Sequence, residues 1–116
     1  MTRHDDLTRL RHMRDHAQEA VALVQGRSRS ELDLNRMLEL ALVRLVEIVG
    51  EAGARVSETT RNHYPQIPWR QVVGMRNRIV HGYDEVDLDV LWDTAVIDFP
   101  TLLTQLGRIL DDMEAK

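Results

Sequence analysis

The segment from Leu38 to Val49 limits what this chain can fold into more than any other. Leu38, Leu40, Ala41, Leu42, Val43, Leu45, Val46, Ile48 and Val49 put apolar groups on nearly every side of a helix. Such a helix must be covered on more than one face. It is either the centre of a helical bundle or a helix that also meets a second subunit. The spacing predicts that it runs from about Glu31 to Ala54, with Ser30 as its N-cap. Gly50, Ala52, Gly53 and Ala54 near its end permit close backbone approach, although glycine is a poor helix former.

The flanking segments are helical in pattern too. Leu7, Leu10, Met13, Ala17, Val21 and Val24 form one apolar stripe, predicting a first helix over about Asp5 to Gln25 that Gly26 stops. Each proline in Tyr64-Pro65-Gln66-Ile67-Pro68-Trp69 disfavours helix in the residue before it. Pro68 and Trp69 suit the start of a third helix, bearing Val72, Val73, Met75, Ile79 and Val80 and ending near His81. Gly82 is then placed for a left-handed cap. Asp87 suits the N-cap of a fourth helix, which Pro100 should bend or interrupt before Leu102, Leu103, Leu106, Ile109, Leu110 and Met113 carry the stripe onward. No useful period-two alternation exists, so no strands are expected. The expected fold is an all-α, up-and-down bundle of four to five helices, one domain over residues 1–116.

Composition narrows the setting. The chain has no cysteine, which excludes disulfides and thiolate metal sites and suits a reducing compartment. No apolar run approaches the roughly 20 residues that span a bilayer, and the first residues lack the apolar stretch of a signal peptide. A cytoplasmic protein without membrane contact is expected. The net charge of −4 is unlike that of a typical nucleic-acid-binding domain. Its distribution is uneven, however. Arg61, Arg70, Arg76 and Arg78 fall in a stretch from Arg61 to His81 that holds no acid, and six acids without a base follow between Asp84 and Asp98.

The positive stretch ends in Arg76-Asn77-Arg78-Ile79-Val80-His81-Gly82-Tyr83. Arginine is a permanent cation suited to phosphate oxygens. Histidine exchanges a proton near neutral pH. RNA brings its own nucleophile, the 2′-hydroxyl. Cleavage then needs proton transfer, which His81 can supply, and stabilisation of charge on the phosphoryl oxygens, which Arg76 can supply. On a regular helix these two lie roughly 140° apart, so the helix must loosen at His81. Asn77 is four residues from His81 and can orient its imidazole. Tyr83 can position the phosphate or stack on a base. Arg70 and Arg78 can track an RNA backbone. One histidine is little equipment for a reaction needing an acid and a base; a symmetric dimer supplies two copies in one cleft. The same octapeptide also fits an ordinary helix end, where basic residues and glycine are favoured by the dipole and the cap.

Longer segments point to a family. Val49-Gly50-Glu51-Ala52, Tyr64-Pro65-Gln66-Ile67-Pro68-Trp69-Arg70, Gly74-Met75-Arg76-Asn77-Arg78-Ile79-Val80-His81-Gly82-Tyr83 and Val86-Asp87-Leu88 together resemble HepT-like toxins of the HEPN superfamily. The likeness runs from about Leu38 to Leu110. It implies a metal-independent endoribonuclease, a homodimer with its active site between subunits, in which Arg76 and His81 carry catalysis. No cofactor is implied. It further implies a minimal nucleotidyltransferase antitoxin as partner, which silences the enzyme by attaching AMP to Tyr83. A bulky anion there would occupy the phosphate site and pair with its arginines. Two alternatives stay open: a non-catalytic binding module of the same fold, and an accessory subunit that serves only as the nucleotidyltransferase's substrate.

Other groups carry less. Glu47 and Glu51, one turn apart, can orient Arg76 or His81, or can be plain surface charges. His12 and His16 have the spacing of a metal-binding pair but no evident third ligand, so a solvated face is expected. His63 is expected in a loop, and Trp69 and Trp92 as core anchors.

Overall fold

A computed structural model describes residues 2–116. Four long helices form the body: α1 (Arg3–Val24), α3 (Arg36–Ala54), α5 (Trp69–Ile79) and α7 (Phe99–Glu114). Three six-residue helices join them: α2 (Arg29–Leu34), α4 (Glu58–His63) and α6 (Leu88–Asp93). A π-helical segment, Thr94–Asp98, links α6 to α7. Among the described residues the only β pairing is a single antiparallel bridge between Val80 and Val86. The architecture is an all-α bundle, as expected.

The apolar segment 38–49 is the central helix. α3 packs against α1 on one side and α5 on the other, while α7 covers the far side of α1. Leu38, Leu42, Leu45, Val46 and Val49 are buried in these contacts with Leu10, Met13, Ala17 and Ala20 of α1. Two bundle neighbours thus explain most of its apolar surround. They leave Met37 and Leu40 exposed, next to exposed Leu34 at the end of α2.

Several boundaries differ from the sequence reading, each for a local reason. α1 starts at Arg3 rather than Asp5, because the Thr2 hydroxyl accepts from the Asp5 N–H (3.1 Å) while the Thr2 N–H donates to the Asp5 carboxylate (3.2 Å). Gly26 stops it as expected, with a φ of 74°. The helix expected over 31–54 is two helices. Asn35 is extended, and its side-chain oxygen accepts from the Leu38 N–H at 3.0 Å, so it caps α3 and breaks the chain from α2. Ser28, not Ser30, precedes α2, and its N–H donates to Glu31 at 2.7 Å. The helix α4 was not expected at all: none of its residues is buried, so it has no apolar stripe to betray it. The regular helix is interrupted ahead of Pro100, as expected, but by a π-helical segment rather than a break, and Pro100 sits in the first turn of α7. The Phe99 N–H reaches back five residues to the Thr94 carbonyl, and this wide turn makes room for the proline ring at the start of α7.

Two polar ties hold the connections. Asp6, only 3% exposed, accepts from the Ser57 N–H (2.9 Å), the Ser57 hydroxyl (2.6 Å) and the Thr60 hydroxyl (2.6 Å). It thereby binds the start of α1 to the start of α4. Burial pushes the Asp6 carboxyl up, but the hydrogen bonds from Ser57 and Thr60 outweigh it and hold the group below the usual carboxylate range. Its contribution to stability is therefore present above the unfolded-state value of about 3.9 and is lost as pH falls through the lower folded value. Asp6→Asn, which removes a charged acceptor, is expected to cost about 1.5–3 kcal/mol at neutral pH and to flatten the acid limb of stability against pH. Urea unfolding across that range checks it; an unchanged acid limb would count against the role. The second tie fixes the turn before α5. The Tyr64 hydroxyl donates to Asp112 of α7 at 2.5 Å, and the Trp69 indole N–H donates to the Tyr64 carbonyl at 3.0 Å. Burial, with the Asp112 hydrogen bond, pushes the Tyr64 hydroxyl up to about 12.

Candidate active site

The close pairing of α3 and α5 begins at Gly50. A Cβ there would lie 3.3 Å from the Val72 carbonyl oxygen and 3.5 Å from that of Val73. Only a residue without a side chain lets the two backbones come this near. Gly50→Val is expected to force them apart and to cost about 1–3 kcal/mol through overpacking, read as a lower midpoint of thermal unfolding. An unchanged midpoint would mean the helices are freer to separate than their packing implies.

Beside this contact lies an open groove of about 350 Å³. Glu47, Gly50, Glu51 and Ala54 line it from α3, and Val73, Arg76 and Asn77 from α5. Two sequence candidates, Arg76 and Asn77, thus share a wall, and Glu51 faces them from the neighbouring helix. Glu51 and Glu47 each also lie 3.8 Å from the exposed guanidinium of Arg44. Such exposed pairs are weak, about 0–1 kcal/mol, so both carboxylates remain free to re-pair.

His81 and Tyr83 come from a different piece of backbone. The helix α5 ends at Ile79, two residues before His81, and Val80 is extended. Gly82 takes no left-handed conformation; among the described residues only Gly26 has a positive φ. The chain instead turns through a small hairpin. The Asp87 N–H donates to the Ile79 carbonyl at 2.7 Å, the His81 N–H donates to the Glu85 carbonyl at 2.8 Å, and Val80 bridges Val86. Asp87 then caps α6, accepting from the Val90 N–H at 3.1 Å, as expected. Asp84 in the hairpin lies 3.5 Å from Arg36 at the start of α3. His81 is therefore beyond the last turn of the helix, where the dipole argument no longer applies. Its four-residue relation to Asn77 is not a helical one, and no hydrogen bond joins the two side chains. What the hairpin does is hold both His81 and Tyr83 in solvent; Tyr83 is fully exposed.

The arginines of the acid-free stretch are unpaired, as are Arg3, Arg9, Arg55 and Arg108 elsewhere among the described residues. Among the described residues none of Arg61, Arg70, Arg76 and Arg78 is in an ion pair, whereas Arg11, Arg14, Arg27, Arg29, Arg36 and Arg44 all are. The four do not share one surface. Arg70 and Arg61 line a hollow that adjoins the Arg76 groove. Arg78 points the other way, into a groove between α5 and the π-helical region that also holds Asp98 and Ile97.

The remaining candidates lie outside the Arg76 groove and the hairpin. The ring of His16 hydrogen-bonds to the His12 carbonyl at 2.7 Å, and among the described residues no cluster of three histidines or carboxylates is arranged to hold a metal. His63 is the last residue of α4 rather than a loop residue, and its ring meets Tyr64 edge-on at 4.8 Å. Trp69 and Trp92 are partly buried against the core. No helix among the described residues is long and apolar enough to cross a membrane.

Comparison with known proteins places this arrangement. The HepT-like ribonuclease family matches residues 13–109. A Methanocaldococcus jannaschii protein described as a candidate RNase is 34% identical over 82 residues, 71% of this chain and 68% of its own length. A Thermococcus cleftensis protein named as a probable ribonuclease HepT is 33% identical over 95 residues, 78% of this chain and 86% of its own. A candidate RNase of Caldanaerobacter subterraneus subsp. tengcongensis is 30% identical over 101 residues, 87% and 90% of the two chains. No solved structure matches. The family match spans the bundle from α1 to α7 and includes the groove and the hairpin, and on that ground the chain belongs to the HepT-like ribonuclease family.

Proposed function

We propose that the chain is a metal-independent endoribonuclease toxin, active as a cytoplasmic homodimer and silenced by a nucleotidyltransferase antitoxin. The observation that carries this reading is the set of unengaged groups at one end of α5. Arg76 and Asn77 rim a groove, His81 and Tyr83 stand exposed on the adjoining hairpin, and none of the four side chains has a hydrogen-bond or ion-pair partner among the described residues. Side chains so placed can meet a substrate without first giving up an internal partner.

In the reaction a base removes the proton of a ribose 2′-hydroxyl, and that oxygen attacks the adjacent phosphorus. The bond to the 5′-oxygen of the next nucleotide breaks, and an acid protonates the leaving oxygen. The products are a 2′,3′-cyclic phosphate and a free 5′-hydroxyl. His81 from each subunit supplies one proton transfer. Arg76 holds the phosphoryl oxygens as their charge grows. Asn77 and Glu51, which share the groove with Arg76, position its guanidinium, and Arg70 attracts the RNA backbone. The exposed apolar residues Leu34, Met37 and Leu40 favour a second copy as neighbour. The full exposure of Tyr83 suits it as AMP acceptor, close enough to His81 for the added phosphate to block substrate.

Incubation of labelled RNA with the purified protein in EDTA is the direct test. Expected products carry the cyclic phosphate and form at the same rate with and without the chelator. Loss of all cleavage on chelation would overturn the metal-free mechanism. Co-expression with the nucleotidyltransferase should place AMP on Tyr83 and nowhere on Tyr83→Phe, read by mass spectrometry.

A further inference from the structure

The hollow that adjoins the Arg76 groove has a composition of its own. It measures about 680 Å³, within the usual range of small-molecule sites. Arg61 and Asn62 of α4 form one wall and Trp69 and Arg70 of α5 the other. Glu58 is its one acid. Val73, 37% exposed, lines both this hollow and the Arg76 groove, so the two are one continuous track along α5. Arg70 and Arg76 are six residues apart, about 9 Å along the helix axis.

We propose that this hollow is a second nucleotide subsite, which binds the RNA residue next to the cleaved bond. The inference rests on the ribonuclease reading above and extends it to four residues with distinct tasks. Arg61 and Arg70 take a phosphate. Neither has a carboxylate partner among the described residues, and the half-buried Arg61 has a buried Nε with no hydrogen-bond partner there. A fork of guanidinium donors matches phosphate oxygens well. Trp69 takes a base. Its indole N–H is already committed to the Tyr64 carbonyl, so the ring, partly buried against the core, is held in place where it lines the hollow and can meet a base there. Asn62 is exposed and carries both a donor and an acceptor for a base edge. Glu58 leaves the hollow positive, one carboxylate against two guanidiniums, and can accept from an exocyclic amine. Splayed single-stranded RNA is recognised by this combination of stacking, base-edge hydrogen bonds and charge.

The test is binding of short single-stranded RNA made uncleavable by 2′-O-methylation, followed by fluorescence anisotropy at several salt concentrations. Arg61→Gln and Arg70→Gln should each weaken binding about tenfold and lower the salt slope by about 0.7, the single-strand value per phosphate. A dinucleotide that fills only the Arg76 groove should bind the variants and the wild type alike. Arg61→Lys should recover part of the loss, which separates lost charge from damaged folding. Unchanged binding by both glutamine variants, or equal losses for the dinucleotide and the longer strand, would overturn the subsite. So would displacement of the RNA by an acidic peptide as readily as by RNA, which would assign the hollow to a protein partner. Because binding needs no cleavage, the two readings fail separately. Binding that depends on Arg61 and Arg70 in a protein that cuts nothing would sink the ribonuclease mechanism and leave the subsite intact. Cleavage with unchanged KM in both variants would do the reverse.

Discussion

His81→Ala is expected to lower kcat for RNA cleavage by about 10²–10⁴, the usual worth of a positioned acid or base. The fold should not change. His81 is exposed, and its one hydrogen bond among the described residues is from its backbone N–H to the Glu85 carbonyl, which alanine keeps. Circular dichroism and thermal unfolding should therefore match the wild type. Arg76→Ala should fall by a similar factor, whereas Arg76→Lys should retain part of the activity, since lysine keeps the charge and loses the fork. KM should move less than kcat in the histidine variant, because proton transfer matters in the transition state and not in binding. The same pair can be read in cells. Growth arrest that is equal for wild type and His81→Ala would show that His81 does not act as acid or base, and would favour a protein that only sequesters RNA or a partner.

The largest stability effect is expected at Phe99. It is the single phenylalanine of the chain and is fully buried where the π-helical segment passes into α7. Phe99→Ala should cost about 3–5 kcal/mol, from lost transfer energy and from the cavity left behind. A domain of this size has only about 5–15 kcal/mol in total. The variant should therefore lie near the threshold of folding at 37 °C, and denaturant titration should show the shift in midpoint with little change in slope. A loss below about 1 kcal/mol would mean that neighbouring side chains collapse into the space, and that the junction is softer than its burial implies. Phe99→Leu, which keeps most of the volume, should lose much less.

The four long helices were legible because each carries a stripe that the core needs. The same logic explains what was missed. α4 has no buried residue, so the hydrophobic period that reveals helices was absent; its signal was the Ser57 cap and its tie to Asp6, 51 residues earlier in sequence. Asn35 was read as a helix residue because apolar residues surround it, although asparagine prefers to cap. Gly82 follows the expected helix end and suits a left-handed cap, but it sits instead within the hairpin closed by Ile79 and Asp87 and takes no positive φ. In the site, the acid-free stretch 61–81 supplies guanidiniums that have no ion-pair partner among the described residues, but they are spread over more than one hollow. It could not show that Arg78 lines a different groove from Arg76 and Arg70, since that depends on how α5 packs on α3 and which hollows it leaves against α4 and α7. Nor could it show the hollow of Arg61, Asn62 and Trp69, which exists only because the unrevealed α4 stands opposite α5.

The π turn explains a mismatch in the last third of the chain. Phe99, Leu106 and Met113 follow one another at intervals of seven, but Leu91 precedes Phe99 by eight. On a regular helix that surplus residue would swing everything beyond it by about 100° and carry the α7 stripe into water. The wide turn at Thr94–Asp98 swallows it. It follows that a one-residue deletion inside 94–98 would leave both flanking stripes aimed inward, while the same deletion within α7 would rotate the remainder of the helix out of register with α1.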